Sequence, residues 1–361
     1  MAFKTITFSK EGENTLIPAW KDYVNNYRAV NFSAKKSYDA SKSLDEKEVL
    51  INSAIDKEIA NLMKIDCSFL DKDAYASNPT YQWATFAVIN KLVDMVIPDI
   101  VKEDFMQVAN TQTIGYGDSA VFDIKSGDLF TVVKNGNSRR HVEAQRQFTG
   151  QKALVPTNHT ITTEVDLYRV LAGKENHADY AMKVVLSIES EIATDIMAAV
   201  KDSFNTLTAN FKENAYSETA FKKLAARVGA ANGGGAKAVA LGTELGLGTI
   251  MPTNDYLKMG LGETYSKIGY LPVFKNVPLI ALAQKIDWSS ADYDFALDDS
   301  YIYMISPQTQ KLVQVVFEGG SLAIADGQFG NSNLTQKVSL HKRWIVGLIT
   351  NSKYGIMKTT V

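Results

Sequence analysis

The residues able to do chemistry are few and scattered. Four histidines, His141, His159, His177 and His341, stand far apart, and none has a metal-ligand spacing such as H-E-x-x-H. Each reads as an ordinary surface or capping residue. His177 is expected in the first turn of a helix, where a positive charge opposes the dipole, so a neutral ring is expected. The one cysteine, Cys67, can form neither an internal disulfide nor a zinc site. It has no histidine near it in sequence and reads as a half-buried structural thiol. No G-x-S-x-G elbow is present, so nucleophilic catalysis has no support.

Glycine-rich segments can cradle phosphates, but these do not carry the frame. Gly233-Gly234-Gly235-Ala236-Lys237 lacks the P-loop spacing, and Gly246-Leu247-Gly248 and Gly260-Leu261-Gly262 lack a third glycine. They read as turn glycines. The acidic run Asp287, Asp292, Asp294, Asp298, Asp299 fails the calcium-loop frame, which needs a central Gly and a final Glu where Tyr303 stands. It reads as solvated loop charge. The basic set Arg139, Arg140, Arg146 has only Phe148 as an aromatic neighbour, thin for a nucleic-acid surface. Salt bridges to an adjacent subunit fit it better.

Bulk character agrees. The 361 residues are 45% apolar and 22% charged, with a formal net charge of -2. That supports a real core and either two compact domains or one domain with large extensions, and it lacks the basic excess of a protein that grips phosphates. Near-neutrality suits a subunit that packs against copies of itself. No unbroken apolar run reaches the ~18 residues of a membrane span, and Met1-Ala2-Phe3-Lys4-Thr5 is no signal core, so a soluble chain without signal peptide is expected. One cysteine fits synthesis in a reducing cytoplasm.

The elements that must position these residues follow from periodicity. Ser43 and Glu46 have capping-box spacing ahead of a helical repeat of Leu50, Ile51, Ala54, Ile55, Ile59 and Leu62. Asn78-Pro79 predicts a second helix start, and Pro98 its end. These stripes have little core of their own and should be buried on another domain or subunit. From about 107 to 170 the chain turns to strand. Ser119 to Ile124 and Leu129 to Val133 precede Asn135-Gly136, a tight hairpin turn, and the return limb is polar. Such a ribbon is marginal alone in water and should lie across a neighbouring chain. Lys174 to Thr208 contains no Gly or Pro, and its stripe of Ala181, Val185, Ile188, Ile192, Ile196, Val200 and Leu207 predicts a spine helix of roughly 50 Å. Glu189, Glu191, Asp195, Lys201 and Asp202 fall mostly off that stripe. The stripe keeps no strict heptad, which disfavours a coiled coil. A shorter helix is expected over Ser217 to Val228, then a loop at Asn232 to Gly235, then a compact α/β stretch from Ala238 to about Phe329 with a helix near Asn254 to Met259. Two closing strands, Trp344 to Ile349 and Tyr354 to Met357, end the chain.

This order resembles the major capsid proteins of tailed bacteriophages, with the Hong Kong 97-like fold. Gly117-Asp118-Ser119-Ala120-Val121-Phe122 resembles the lead into the family's extended loop, and Lys174 to Thr208 its spine helix. Gly269-Tyr270-Leu271-Pro272-Val273-Phe274, with Val277-Pro278-Leu279-Ile280 and Phe295 to Met304, is similar to the axial-domain strands. Gly347-Leu348-Ile349 through Lys358 resembles the closing strands. The implied fold is α+β: a helical N-terminal arm over 1–106, a strand and extended β-hairpin loop over 107–170, a peripheral domain over 171–228 with the spine helix at 174–208, an α/β axial domain over 229–338, and C-terminal strands over 339–361 returning to the peripheral domain.

The resemblance implies pentamers and hexamers closing an icosahedral head shell around double-stranded DNA, held without sequence-specific contact. It implies a structural role without catalysis or cofactor, and a place in the virion. The partners implied are copies of the same chain and a portal, scaffold or decoration protein; no membrane is implied. Inter-subunit contacts are expected at Lys134, Asn135, Gly136, Arg139, Arg140 and Arg146 on the hairpin and at Gly233, Gly234 and Gly235. Some relatives join a Lys to an Asn covalently; Lys134 and Asn351 lack a matching acid, so that chemistry is not carried over. An encapsulin-type compartment shell and a tail or adaptor protein are the alternatives.

Overall fold

Ser43 opens a helix as its spacing predicts. Its hydroxyl accepts from the Glu46 N–H at 3.2 Å, and the Glu46 carboxylate accepts from the Ser43 N–H at 3.0 Å. Two of the four orphan donors at a helix start are thereby satisfied. Asn78 caps the next helix through the Thr80 N–H, with Pro79 at the first helical position. The computed structural model describes residues 7–31, 41–69, 78–106, 108–125, 130, 132–133, 144–147, 149–166, 169, 176–233, 237–288, 290–307, 311–325 and 335–359.

Among these, the α-helices are α1 (Lys10–Asn31), α2 (Leu44–Met63), α3 (Pro79–Asp104), α4 (His177–Asp202), α5 (Glu218–Ala231), α6 (Glu244–Gly248) and α7 (Asp255–Ile268). Pro98 does not end α3. Proline removes one N–H donor, but Ile97 just before it and Ile100 and Val101 beyond it are buried, and that packing carries the helix on to Asp104. The spine helix α4 has 26 residues, roughly 39 Å, shorter than its gapless sequence predicts. It stops at Asp202, where a 3-10 turn over Ser203–Asn205 follows. There the Ser203 hydroxyl donates back to the Val200 carbonyl, and Phe204 is buried, turning the chain. Residues 174–175 lie outside the described residues.

The strands are β1 (Ala109–Ile114), β2 (Ala120–Lys125), β3 (Thr149–Leu154), β4 (Thr157–Asp166), β5 (Lys212–Glu213), β6 (Val239–Thr243), β7 (Val273–Phe274), β8 (Val277–Leu282), β9 (Tyr301–Ile305), β10 (Val313–Ala325), β11 (Thr335–Leu348) and β12 (Gly355–Lys358). They form a four-stranded sheet in the order β1-β10-β11-β4, a six-stranded sheet in the order β5-β12-β9-β6-β8-β7, and the separate pair β2-β3. β10 falls in the range expected for the axial domain but lies in the four-stranded sheet, parallel to β1 and antiparallel to β11. The closing strands divide: β11 stays in that sheet, whereas β12 crosses to the other and pairs with β9 and β5.

Two main cores result. In the first, Trp20, Ile55, Leu92 and Ile192 from the four long helices meet Val315, Phe317, Leu340 and Trp344 on the inner face of the four-stranded sheet. The N-terminal helices thus bury their stripes on the spine helix and sheet of their own chain. In the second, Phe221, Leu224 and Val228 of α5 cover Ala240, Ile302, Met304 and Met357 of the six-stranded sheet.

Candidate inter-subunit surface

The hairpin starts from β2 and β3, whose antiparallel register pairs Ala120 with Leu154 and Lys125 with Thr149, symmetric about Asn137. Its base is anchored: Ala120 and Leu154 pack with Val316 and Ile349. Gly347 makes the seat, since a Cβ there would lie 2.7 Å from Leu154 Cδ1. Farther out the polar β3 faces solvent over Thr149 to Ala153, and Val121, Phe130 and Val132 are exposed. Arg146 is exposed on the return limb, while Lys134, Asn135, Gly136, Arg139 and Arg140 lie outside the described residues. Gly233 is exposed just after α5, with φ +105°, a left-handed value that favours glycine; Gly234 and Gly235 lie outside the described residues. Arg146 and Gly233 belong to different elements, so the expected contact residues form two groups.

Sequence reading missed the polar groups that hold these parts in place. Glu189, expected off the apolar stripe of α4, is 3% exposed. Its carboxylate accepts from Arg28 of α1 at 3.2 Å and from Lys285, which follows β8. Arg28 also donates to Asp104 at 2.6 Å. Burial alone would lower the Arg28 pKa, but Glu189 and Asp104 outweigh it and hold the guanidinium above its ordinary value. Asp94 of α3 receives the buried Lys342 ammonium and the Ser321 hydroxyl. Arg343 donates to the buried Glu318 at 2.7 Å, and Glu318 also accepts from the Gly117 N–H. Trp344 donates through Nε1 to Asp195 of the spine helix at 3.0 Å. No local pattern marks these residues, because each partner lies far away in sequence.

The remaining candidates resolve individually. His159 stacks on Trp344 with ring centroids 3.6 Å apart, and His341 Nδ1 lies 2.8 Å from the Thr160 hydroxyl. Burial lowers the His177 pKa to about 4, so its ring is neutral. All three histidines are half-buried rather than surface residues, because neighbouring elements pack over them; His141 lies outside the described residues. Cys67 is exposed, not half-buried: after α2 the chain reverses at Lys64, with φ 57°, and the turn carrying Cys67 leaves the core. Of the aspartates, Asp298 bonds Lys201 at 2.6 Å and Asp299 accepts from Gln284, so these two are internal anchors. Burial would raise the Asp298 pKa, but Lys201 and the Ser300 N–H bring it below its ordinary value. Among the described residues no group of three or more His, Cys, Asp or Glu could hold a metal ion. No helix among them is long and apolar enough to cross a membrane.

Solved structures similar to this chain include the mature capsid of bacteriophage PhiM1, at 12% identity and TM-score 0.48, over 71% of this chain and 86% of that one. The acid-stable capsid of Helicobacter pylori bacteriophage KHP30 is similar at 12% identity and TM-score 0.46, over 71% and 90% of the two chains. The SrpI encapsulin of Synechococcus elongatus is similar at 9% identity and TM-score 0.41, over 70% and 86%. No curated protein matches. Residues 26–358 match the family model described as "SPbeta prophage-derived putative capsid protein YonB", and the chain belongs to that capsid protein family.

Proposed function

We propose that this chain is the major capsid subunit of a tailed-phage head with the Hong Kong 97-like arrangement. Copies assemble into pentamers and hexamers that close an icosahedral shell around the genome. Beside the family membership, the observation that carries this reading is the hairpin. Its base is packed on its own chain, while Val121, Phe130, Val132 and Arg146 project into solvent. A two-stranded ribbon gains little stability alone and is completed by a neighbour. The contact residues on this reading are Lys134, Asn135, Gly136, Arg139, Arg140 and Arg146, with Gly233, Gly234 and Gly235 forming a second group. The net charge of -2 supports a shell that encloses DNA without gripping it in sequence-specific fashion. The role is structural, the location is the virion after synthesis in the host cytoplasm, and a portal, scaffold or decoration protein is the natural further partner.

The domains of the subunit are the helical N-terminal segment, the hairpin, a peripheral unit built on α4 and the four-stranded sheet, and an axial unit built on the six-stranded sheet. The N-terminal segment is retained in the mature shell on this reading. Glu58 of α2 accepts from Ser9, and Ile51, Ile55 and Ile59 are buried, so removing α1–α3 would strip the first core. Sedimentation and negative-stain microscopy of the purified chain test the proposal. Closed particles or capsomers are expected, and a stable monomer at high concentration would overturn it. Protein cargo in place of DNA inside native particles would assign the shell to a compartment.

A further inference from the structure

A loop between β8 and β9 presents three large aromatic side chains to solvent. Trp288 is 70% exposed, Tyr293 64% and Phe295 55%. Trp288 and Tyr293 meet edge to face with centroids 6.0 Å apart. Exposed aromatics gathered in one place are unusual on a monomer surface and are the residue types that dominate binding interfaces. The loop is firmly held. Ile286 bridges Phe295, and the Asp287 N–H donates to the Asp294 carbonyl at 2.8 Å. Gln284 closes the base, donating to the Leu297 carbonyl and to Asp299 and accepting from the Leu297 N–H. Lys285 and the Ile286 carbonyl fasten that base to Glu189 and Ser190 of the spine helix. The base of the patch is therefore held at a fixed place on the molecule, which lowers the entropy cost of binding.

Charge selects the occupant. From Ile286 to Phe295 the chain has three Asp (Asp287, Asp292 and Asp294) and no Lys or Arg, whereas Asp298 and Asp299 farther on are engaged by Lys201 and Gln284. Asp292 and Asp294 are exposed beside the aromatics. The hairpin's return limb has the opposite character: Arg139, Arg140 and Arg146 with one acid, Glu143. Arginine suits such a seat, since its planar guanidinium stacks on aromatic rings and binds carboxylates through a fork of donors. We propose that Trp288, Tyr293 and Phe295 form the seat for the arginine limb of the hairpin of a second copy of this chain. The inference rests on the shell reading and deepens it by naming both sides of one contact.

Charge reversal tests it in the full chain. One variant carries Arg139→Glu, Arg140→Glu and Arg146→Glu; a second carries Asp287→Lys and Asp292→Lys; a third combines both sets. Each single reversal should cut the fraction sedimenting as particles about tenfold, and the combined chain should recover most of it. Trp288→Ser with Tyr293→Ser should cut the fraction by at least as much. The dissociated variant subunits should melt like the unaltered subunit. Normal assembly of the reversed chains, or loss without recovery in the combined chain, overturns the proposal. So does a fall in subunit melting temperature that the combined chain repairs, which assigns the contact to one chain. If the unaltered chain forms no particles, the shell reading fails separately. The same pattern must then appear in self-association by sedimentation equilibrium, and its absence there overturns the seat as well.

Discussion

Glu189, in the middle of the spine helix, accepts a hydrogen bond from Arg28, 161 residues earlier in the chain. Lys285 reaches the same carboxylate from the opposite direction in sequence. One buried acid thus ties the first helix and the loop after β8 to the spine. Removing one member of such a group leaves buried charge without its counterpart. Glu189→Ala should therefore destabilise the subunit by about 3 kcal/mol. Urea unfolding checks this: the midpoint should fall while the slope stays unchanged. Arg28 keeps Asp104, which holds the effect near the lower end of the range for buried pairs.

Glu189 also shows what was legible in the sequence and what was not. Capping and helix starts are local, so Ser43 with Glu46, and Asn78 with Pro79, announce themselves within four residues. The pairing of the hairpin limbs is nearly local, with the β2–β3 register centred on Asn137, while Asn135-Gly136 lies outside the described residues. Which sheet a strand joins is not local. β10 pairs with β1, and Asn110 bonds Gln314 across 204 residues, which no periodicity reveals. Glu189 belongs to the same class: its position on a helical wheel says charge and hence solvent, and only distant Arg28 and Lys285 make its burial tolerable. Pro98 misled in the other direction, since tertiary burial overrode a local breaker. Of the residues expected at inter-subunit contacts, Arg146 and Gly233 are exposed. The aspartates of the aromatic loop point to solvated charge, and Trp288, Tyr293 and Phe295 among them follow no period that separates core from surface.

The Ser43–Glu46 capping box contributes locally to the stability of α2. Ser43→Ala should cost about 1 kcal/mol, the usual value for an N-cap hydroxyl. Ser43→Asp should restore most of it, since a carboxylate caps equally well and faces the favourable end of the helix dipole. Thermal unfolding of the dissociated subunit measures both.

Gly319 sits at a break in register between β10 and β11, with φ +57°. A Cβ there would come within 2.3 Å of the Tyr116 ring. Tyr116 is fixed in turn, its hydroxyl donating to the Gly320 carbonyl at 2.7 Å and accepting from the Gly320 N–H at 2.9 Å. Gly319→Ala should destabilise the subunit by about 2 kcal/mol, from the left-handed backbone and the clash together. Adding Tyr116→Ala should remove the clash but not the backbone part, so the two changes should be non-additive in a double-mutant cycle.

His177 gives the subunit a stability that depends on pH. Burial lowers its pKa to about 4, against about 6.5 in the unfolded chain. Between those values the unfolded chain binds the proton and the folded one does not. Stability from the neutral ring is therefore complete above pH 6.5, falls as the pH drops through the window, and levels off below about 4. The ring stands at the start of the spine helix, where the dipole also opposes a positive charge. His177→Gln has no proton to take up, so this part of the slope should vanish. Carboxylates titrate in the same window and contribute equally to both chains, so the informative quantity is the difference between their urea midpoints. That difference should shift steadily in favour of the variant as the pH is lowered from 7 to 4.5. A constant difference across the range would show that the ring is protonated in the folded subunit as readily as in the unfolded chain.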